Sequence, residues 1–446
     1  VGSLYILDEP SIGLHPRDTG RLIKVLRSLQ QQGNTVIVVE HDEEIMHHAD
    51  ELIDIGPAAG SFGGELVFQG THKDLLHANK SFTAKYLTNQ LRIEVPARRR
   101  HWKEYIEIKN LNDNNLQNIS VKFPLHTLTC VTGVSGSGKS TLIKRGLIPF
   151  LQRYLDGYYE SVNHDHIIGG SLKQIKQLEF VDQNPIGKST RSNPVTYVKA
   201  FDDIRELFAS QGLAKTRAYK PGFFSFNVEG GRCEVCQGEG EITVEMQFMA
   251  DIQLSCEACA GKRYKAETLE ILYREKSIAD VLTLTVDDAV QFFSEDTQNR
   301  LAGKINEKLT ALQAVGLGYV QLGQSSSTLS GGEAQRIKLA SFLIGINNVQ
   351  PTLFVFDEPT TGLHFHDVAK LLKSFTALLD KGHSIVVIEH NMEVIKCADW
   401  IIDMGPEGGD KGGQVVFEGL PEELAKFKKS YTAAFLAEKL GMKKTK

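Results

Sequence analysis

The sequence predicts an α/β protein, a mostly parallel sheet flanked by helices, with a phosphate-binding loop and an inserted four-cysteine module. Three observations predict it. Strand-length apolar runs alternate with helical stretches. The string GVSGSGKST lies between one such run and one such helix. Four cysteines fall into two C-x2-C pairs within a single stretch.

The strand patterns are Ile106 to Ile108, Leu128 to Thr132, Phe180 to Asp182, Leu353 to Phe356 and Ile385 to Ile388; Ser140 to Leu151 and Val368 to Leu379 read as helices. A chain of 446 residues holds two to four domains. Its net charge of −5 offers no argument for nucleic acid from composition, so any basic surface must be local. The longest apolar runs, such as Thr35 to Val39, fall far short of the about 20 residues of a membrane helix. With no export signal, a cytoplasmic setting is expected. The first residue is Val, which fits a trimmed chain. Cys130 and Cys397 stand alone in apolar stretches and read as small buried hydrophobes.

A long repeat runs through the chain. LYILDEPSIGLHPRD near the start returns as LFVFDEPTTGLHFHD, and TVIVVEHDEEIMHHADELIDIGP returns as SIVVIEHNMEVIKCADWIIDMGP. Asp8 and Asp357, His41 and His390, and Ser81 and Ser430 are each separated by 349 positions. Residues 1–92 are therefore expected to be the C-terminal part of a first nucleotide-binding half. A second half begins near residue 104, after a linker over 93–103 whose EVPARRRHWKE is expected to be solvated, with a DNA-facing basic patch as the alternative. Residues 104–160 carry the phosphate loop, 161–325 an inserted region with the cysteine module at about 230–265, and 326–446 the remainder.

GVSGSGKST fits G-x-x-x-x-G-K-[ST] in a strand–loop–helix context. Gly133, Gly136 and Gly138 let backbone N–H groups approach phosphates, Lys139 reaches the β- and γ-phosphates, Ser140 ligates Mg²⁺, and Thr141 continues the helix N-terminus. Asp357 ends an apolar run and is expected to hold Mg²⁺ through water. Glu358 is then placed to polarise an attacking water, and His390 to sense the γ-phosphate. Asp8, Glu9 and His41 are their counterparts in the first repeat. Gln183, after another strand, could sense Mg²⁺ and water. Ser330, Gly331 and Gly332 open a strong helical pattern whose N-terminus suits a phosphate held by a different half.

The cysteines Cys233, Cys236, Cys256 and Cys259 have the spacing C-x2-C-x19-C-x2-C. Glycines after each pair permit tight knuckles, and the intervening EITVEMQFMADIQL alternates enough to form strands. Four thiolates favour structural Zn²⁺ over an iron–sulfur cluster or a redox pair, with no open position for catalysis.

Phosphate loop, Gln183, STLSGGEAQRIKLA, Asp357-Glu358 and His390 occur in the order that identifies the ATP-binding-cassette family. The fold implied is a P-loop NTPase of that type with an inserted signature subdomain and a four-cysteine zinc module. The family resemblance also implies that two halves close head to tail on two ATP molecules. About 190 residues separate the phosphate loop from the signature, far more than in a transporter cassette. Tandem halves with zinc cysteines inserted there, together with NPIGKSTRSNPVTY, FSFNVEGGRCEVCQGEG, GLGYVQLGQ and DEPTTGLH, resemble the UvrA family, the damage-recognition ATPases of bacterial nucleotide excision repair.

That resemblance implies a homodimer that binds duplex DNA, prefers damaged DNA, and loads UvrB through a region upstream of this chain. A paralogue acting in drug tolerance is the competing reading, and a transporter subunit a more distant one. The first half's phosphate loop and signature are missing, so this chain alone is expected to bind ATP weakly and hydrolyse it poorly. GKSTRSNPVTY offers Lys188, Thr190, Arg191 and Ser192 to DNA phosphates, and KTRAYKPGFFSF offers Lys215, Arg217 and Lys220. Solvated loops or ion pairs within the chain are the alternative for these. The C-terminal KLGMKKTK reads as frayed.

Overall fold

The computed structural model describes residues 2–442 except 58–59, 61–62, 159–166, 188–190, 245, 247–251 and 345–349. It divides into two compact units, Val1–Asp182 with Asn347–Lys446, and Gln183–Ile346.

The first unit is built on a six-stranded sheet. In spatial order its strands are Gln414–Gly419, Trp400–Gly405, Leu128–Gly133, Ser384–Ile388, Thr352–Asp357 and Gln177–Val181. All pairings are parallel except the one at the Gln414–Gly419 edge. The central strands are buried along their length, as continuous apolar runs in a two-sided parallel sheet require. Ile143, Leu147 and Leu151 pack on this sheet together with Ile106, Ile108 and Phe123 of a three-stranded antiparallel sheet formed by Ile119–Pro124, Tyr105–Leu111 and Ile167–Gly170.

The repeat appears as paired strands. Leu4–Asp8 lies parallel to Thr35–Val39, and Leu52–Gly56 antiparallel to Glu65–Gly70, as two separate sheets. In the second repeat, Leu128–Gly133 runs between the corresponding pairs and joins them. Burial follows from this. Ile6 and Ile37 are 69% and 48% exposed, whereas Val355 and Val386, 349 positions on, are fully buried.

Two sequence expectations change on folding. The helix expected over Ser140 to Leu151 is a short α-turn (Lys139–Thr141), a π-turn (Leu142–Leu147) and a second α-segment (Ile148–Leu155). Gly146 lies in the π-turn, where a Cβ would stand 2.6 Å from Leu111 Cδ2, so the helix packs closely on the antiparallel sheet and a side chain there would have to displace the Leu111 methyl. The linker is largely exposed, at Glu94, Pro96, Ala97, Arg98, His101 and Lys103, but two of its arginines and its tryptophan reach the second repeat. Arg99 bonds Glu422 at 2.7 Å and the Lys396 carbonyl at 2.8 Å, Arg100 pairs with Asp380, and Trp102 sits edge-on to Trp400. Arg99 and Arg100 are thus engaged by the second repeat, while Arg98 and Lys103 stay exposed. At the C-terminus, Lys439 is held by Glu393 at 3.0 Å and by Glu43 rather than frayed; residues 443–446 lie outside the described residues. Cys130 and Cys397 are buried and unbridged.

The second unit carries the helices Ala200–Ala209, Val286–Ser294, Arg300–Ala314 and Gly331–Leu343, and an antiparallel hairpin of Glu241–Val244 and Ile252–Ser255. No helix among the described residues is long and apolar enough to cross a membrane.

Candidate functional site

The strand Leu128–Gly133 delivers the phosphate loop from the middle of the main sheet. Two glycines are dictated by the backbone. Gly133 has φ +128°, and a Cβ there would stand 2.0 Å from the Met404 carbonyl oxygen. Gly138 has φ +103° and caps the helix that begins at Lys139. Gly136 is also left-handed, at φ +75°. Lys139 is 5% exposed and donates from Nζ to the carbonyls of Gly133 (3.0 Å) and Val134 (2.9 Å). Burial lowers its pKa to about 8, opposed by the charges of Glu358, Asp403, Asp18 and Asp357. Ser140 is exposed beside it, and Thr141 Oγ1 lies 3.5 Å from Asn114 Nδ2.

Asp357 ends the strand Thr352–Asp357, and Glu358 turns away from it at φ +48°. Glu9 does the same at φ +43°. Positive φ is strained for a glutamate, and its presence in both repeats marks a turn held by its surroundings. Burial, then the neighbouring Asp357, raises the Glu358 pKa. His390 Nε2 stands 3.7 Å from Glu358 Oε1; in the first repeat, His41 Nε2 stands 3.6 Å from Glu9 Oε1. Burial, then the Lys139 charge, lowers the His390 pKa well below its usual value, and Nδ1 has no hydrogen-bond partner among the described residues. A cavity of about 310 Å³ is lined by Glu9, His41, Glu358 and His390 together. A Cβ on Gly13 would stand 3.3 Å from Glu358 Oε2, and one on Gly362 3.3 Å from Glu9, so each glutamate faces the other repeat. Asp8 is exposed at the end of its strand.

Two residues absent from the sequence reading belong to this site. Lys144, one turn beyond the phosphate loop, puts Nζ 2.6 Å from Asp357 Oδ2. Glu389 is buried and accepts from the backbone N–H of Thr360 (3.0 Å), His390 (2.9 Å) and Asn391 (3.0 Å) and from the Thr360 hydroxyl (2.6 Å). Burial pushes its pKa up to about 7. Glu40 takes the corresponding N–H groups of Ser11 and His41. The signal was available: a glutamate precedes the histidine in both repeats, VVEH and VIEH.

In the second unit, Ser330 caps the helix Gly331–Leu343 through a reciprocal box with Glu333. Gly331 and the buried Gly332 follow it. Gln183 is brought against this helix start, where a Cβ on Gly331 would stand 3.1 Å from Gln183 Cβ. The sulfurs of Cys233, Cys236, Cys256 and Cys259 lie within 4.8 Å of one another, with Cys236 and Cys259 3.7 Å apart. That spacing is far beyond a disulfide and matches the edge of a tetrahedron with Zn–S of about 2.3 Å. Residues with positive φ follow the second cysteine of each pair, Gln237-Gly238 and Ala260-Gly261, and form the knuckles. The donor set fits zinc.

Among the expected DNA contacts, Lys188 and Thr190 lie outside the described residues. Arg191 pairs with Glu239 at 3.4 Å, and Arg217 with Glu270 at 2.5 Å, so both guanidinium groups engage carboxylates of this chain. Lys220 is exposed.

No family model matches the chain. It is 51% identical over 447 residues to UvrABC system protein A of Clostridium perfringens, covering 99% of this chain and 46% of that protein. It is 54% identical over 441 residues to UvrABC system protein A of Aquifex aeolicus, covering 99% and 47%. The crystal structure of UvrA2 from Deinococcus radiodurans matches with a TM-score of 0.88 at 46% identity, over 98% of this chain and 52% of that one. The chain spans about half the length of the curated relatives it matches. The resemblance read from the motifs thus holds along the whole chain, which has an ATP-binding-cassette α/β fold and is similar, end to end, to about half of a UvrABC system protein A.

Proposed function

We propose that this chain is the nucleotide-operated part of a DNA-damage-recognition ATPase of nucleotide excision repair. The observation that carries the ATPase reading is the Glu358–His390 pair beside the phosphate loop, repeated as Glu9–His41. ATP phosphates are held by the loop Gly133–Thr141 and by Lys139. Ser140 and Asp357 are hard oxygen donors that fit Mg²⁺, which supplies charge neutralisation on the phosphates. Glu358 accepts a proton from the attacking water, and its raised pKa makes it the stronger base for that task. His390, neutral and fixed by the Glu389 hydrogen bonds to the turn, orients toward the γ-phosphate. Ser330 to Gly332 present a helix N-terminus to a nucleotide held by another half. Gln183 is the proposed sensor of Mg²⁺ and water.

The repair role is supported by the likeness to proteins named UvrABC system protein A at 51% and 54% identity. Under this reading the longer protein dimerises, binds duplex DNA with a preference for damage, and loads UvrB, in the cytoplasm. Zinc at the four cysteines holds the inserted hairpin and takes no part in hydrolysis. Lys188, Arg191, Arg217 and Lys220 remain phosphate-contact proposals, with Arg191 and Arg217 exchanging a carboxylate partner for a phosphate.

The test is a titration against matched duplexes, one bearing a bulky adduct, with and without Mg·ATP at two salt concentrations. Salt-sensitive binding is expected. No binding at low salt overturns a DNA surface on this chain. Nucleotide affinity left unchanged by Lys139→Ala overturns the ATP site.

A further inference from the structure

The turns after the two Asp-Glu pairs are clamped on opposite repeats by matching hydrogen-bond chains. His15 Nδ1 accepts from the Arg17 backbone N–H at 3.2 Å, so the ring proton lies on Nε2. Nε2 donates to Thr432 Oγ1 at 3.1 Å, and Thr432 donates to Asp403 Oδ1 at 2.9 Å. The mirror chain starts at His364, whose Nδ1 accepts from the His366 N–H at 3.2 Å. Its Nε2 donates to Thr83 Oγ1 at 3.2 Å, and Thr83 donates to Asp54 Oδ1 at 3.1 Å. Ser430 and Ser81 each bond the second oxygen of their aspartate at 2.5 Å. The rings are seated alike: His15 is edge-on to Phe435 and His364 to Tyr86, both with centroids 5.9 Å apart. Every member is offset from its counterpart by 349 positions.

The ends of the chain through His15 reach the nucleotide machinery. Asp403 stands opposite Thr132 in the strand beside the phosphate-loop strand, and its charge is felt by Lys139. At the other end, the Gly13 carbonyl accepts from the phosphate-loop Ser135 hydroxyl at 3.3 Å, and the His15 ring is edge-on to His390, with centroids 6.1 Å apart. His15 and Thr432 are buried, so no solvent competes for these bonds.

The geometry points to His15 and His364 as positioning residues of a paired relay between the repeats. Each ties the turn after one repeat's Asp-Glu pair to the strand beside the other repeat's phosphate-loop position, so that nucleotide at Lys139 is reported to residues 9–17 through Asp403, Thr432 and His15. This rests on the nucleotide reading above and adds a route by which occupancy of one site sets the geometry of Glu9.

Hydrogen exchange with and without Mg·ATPγS tests it on this chain. In the wild type, nucleotide slows exchange several-fold at 133–141 and at 9–20. Thr432→Val keeps the effect at 133–141 and loses it at 9–20; Thr432→Ser, which restores the hydroxyl, recovers it. Thr83→Val removes the equivalent bond from the mirror chain and leaves the response of 9–20 intact. Retention of the effect in Thr432→Val, or equal loss in Thr83→Val, overturns the relay. No slowing at 133–141 in the wild type overturns the nucleotide reading and the relay together; slowing there without any at 9–20 overturns the relay alone. Should Thr432→Val fail to fold, ¹⁵N-histidine spectra of the wild type suffice. The His15 signal, assigned with His15→Asn, is neutral with its proton on Nε2 and moves when nucleotide is added; an unmoved signal overturns the proposal.

Discussion

Lys144 Nζ lies 2.6 Å from Asp357 Oδ2, so the carboxylate read as the Mg²⁺ partner is already neutralised by an ammonium from the turn after the phosphate loop. A divalent cation and the ammonium compete for one oxygen. The pair is partly exposed, at 44% and 19% of the side chains, and so contributes at most modestly. Lys144→Met should lower the Mg²⁺ concentration at half-maximal nucleotide binding by roughly two- to fivefold. A Mg²⁺ titration of a fluorescent ATP analogue checks this; an unchanged or higher midpoint contradicts it.

Lys139 has its pKa lowered to about 8 by burial, from an ordinary value of 10.5. Bound phosphate favours the charged ammonium. Nucleotide affinity should therefore fall as pH rises through about 8, by up to about tenfold per pH unit. Lys139→Ala should lose at least about tenfold in affinity and show no such inflection. Isothermal titration from pH 7 to 9.5 separates the outcomes.

His15 is held neutral, its pKa lowered to about 4 by burial and then by the Lys139 charge. Below pH 6.5 the unfolded chain binds a proton here that the folded chain refuses until about pH 4. Stability is therefore lost as pH falls through that window, by about 2 kcal/mol between pH 6.5 and 5 from this group. His15→Asn keeps an acceptor for the Arg17 N–H and removes the titration. Its thermal midpoint should fall less steeply than that of the wild type between pH 7 and 5. Parallel curves would rule the effect out.

The four cysteines should hold one zinc per chain. Cys256→Ser or a strong chelator should remove it, and with it the hydrogen-exchange protection of Glu241–Val244 and Ile252–Ser255. This hairpin buries little of its own, since Ile242, Val244, Ile252 and Leu254 are all exposed, so a metal at the four cysteines would be its main restraint. Full protection without metal would contradict a structural zinc.

Much of this was legible because the signals are local. The phosphate loop needs only its glycines and the flanking strand and helix, and the cysteine pairs only their spacing. Glu389 was legible in principle, since the repeat doubles it, but a carboxylate that caps a turn looks like any charged residue until its donors are located. The π-turn at Leu142–Leu147 was not legible, because local propensity does not distinguish a π-turn from the α-helix around it. The same holds for the linker arginines, whose partners Glu422 and Asp380 lie about 300 positions away.

By itself, the sequence determined the fold class, the nucleotide motifs, the cysteine centre and the repeat offset by 349 positions, because periodicity and backbone chemistry act over a few residues or, for the repeat, are written twice. Only the tertiary structure decided which side chains meet. His15 finds Thr432, His364 finds Thr83 and Lys144 finds Asp357 because the repeats pack face to face and the sheet brings remote strands together. A hydrogen bond is formed by distance and direction in space, and neither is encoded in the spacing along a chain.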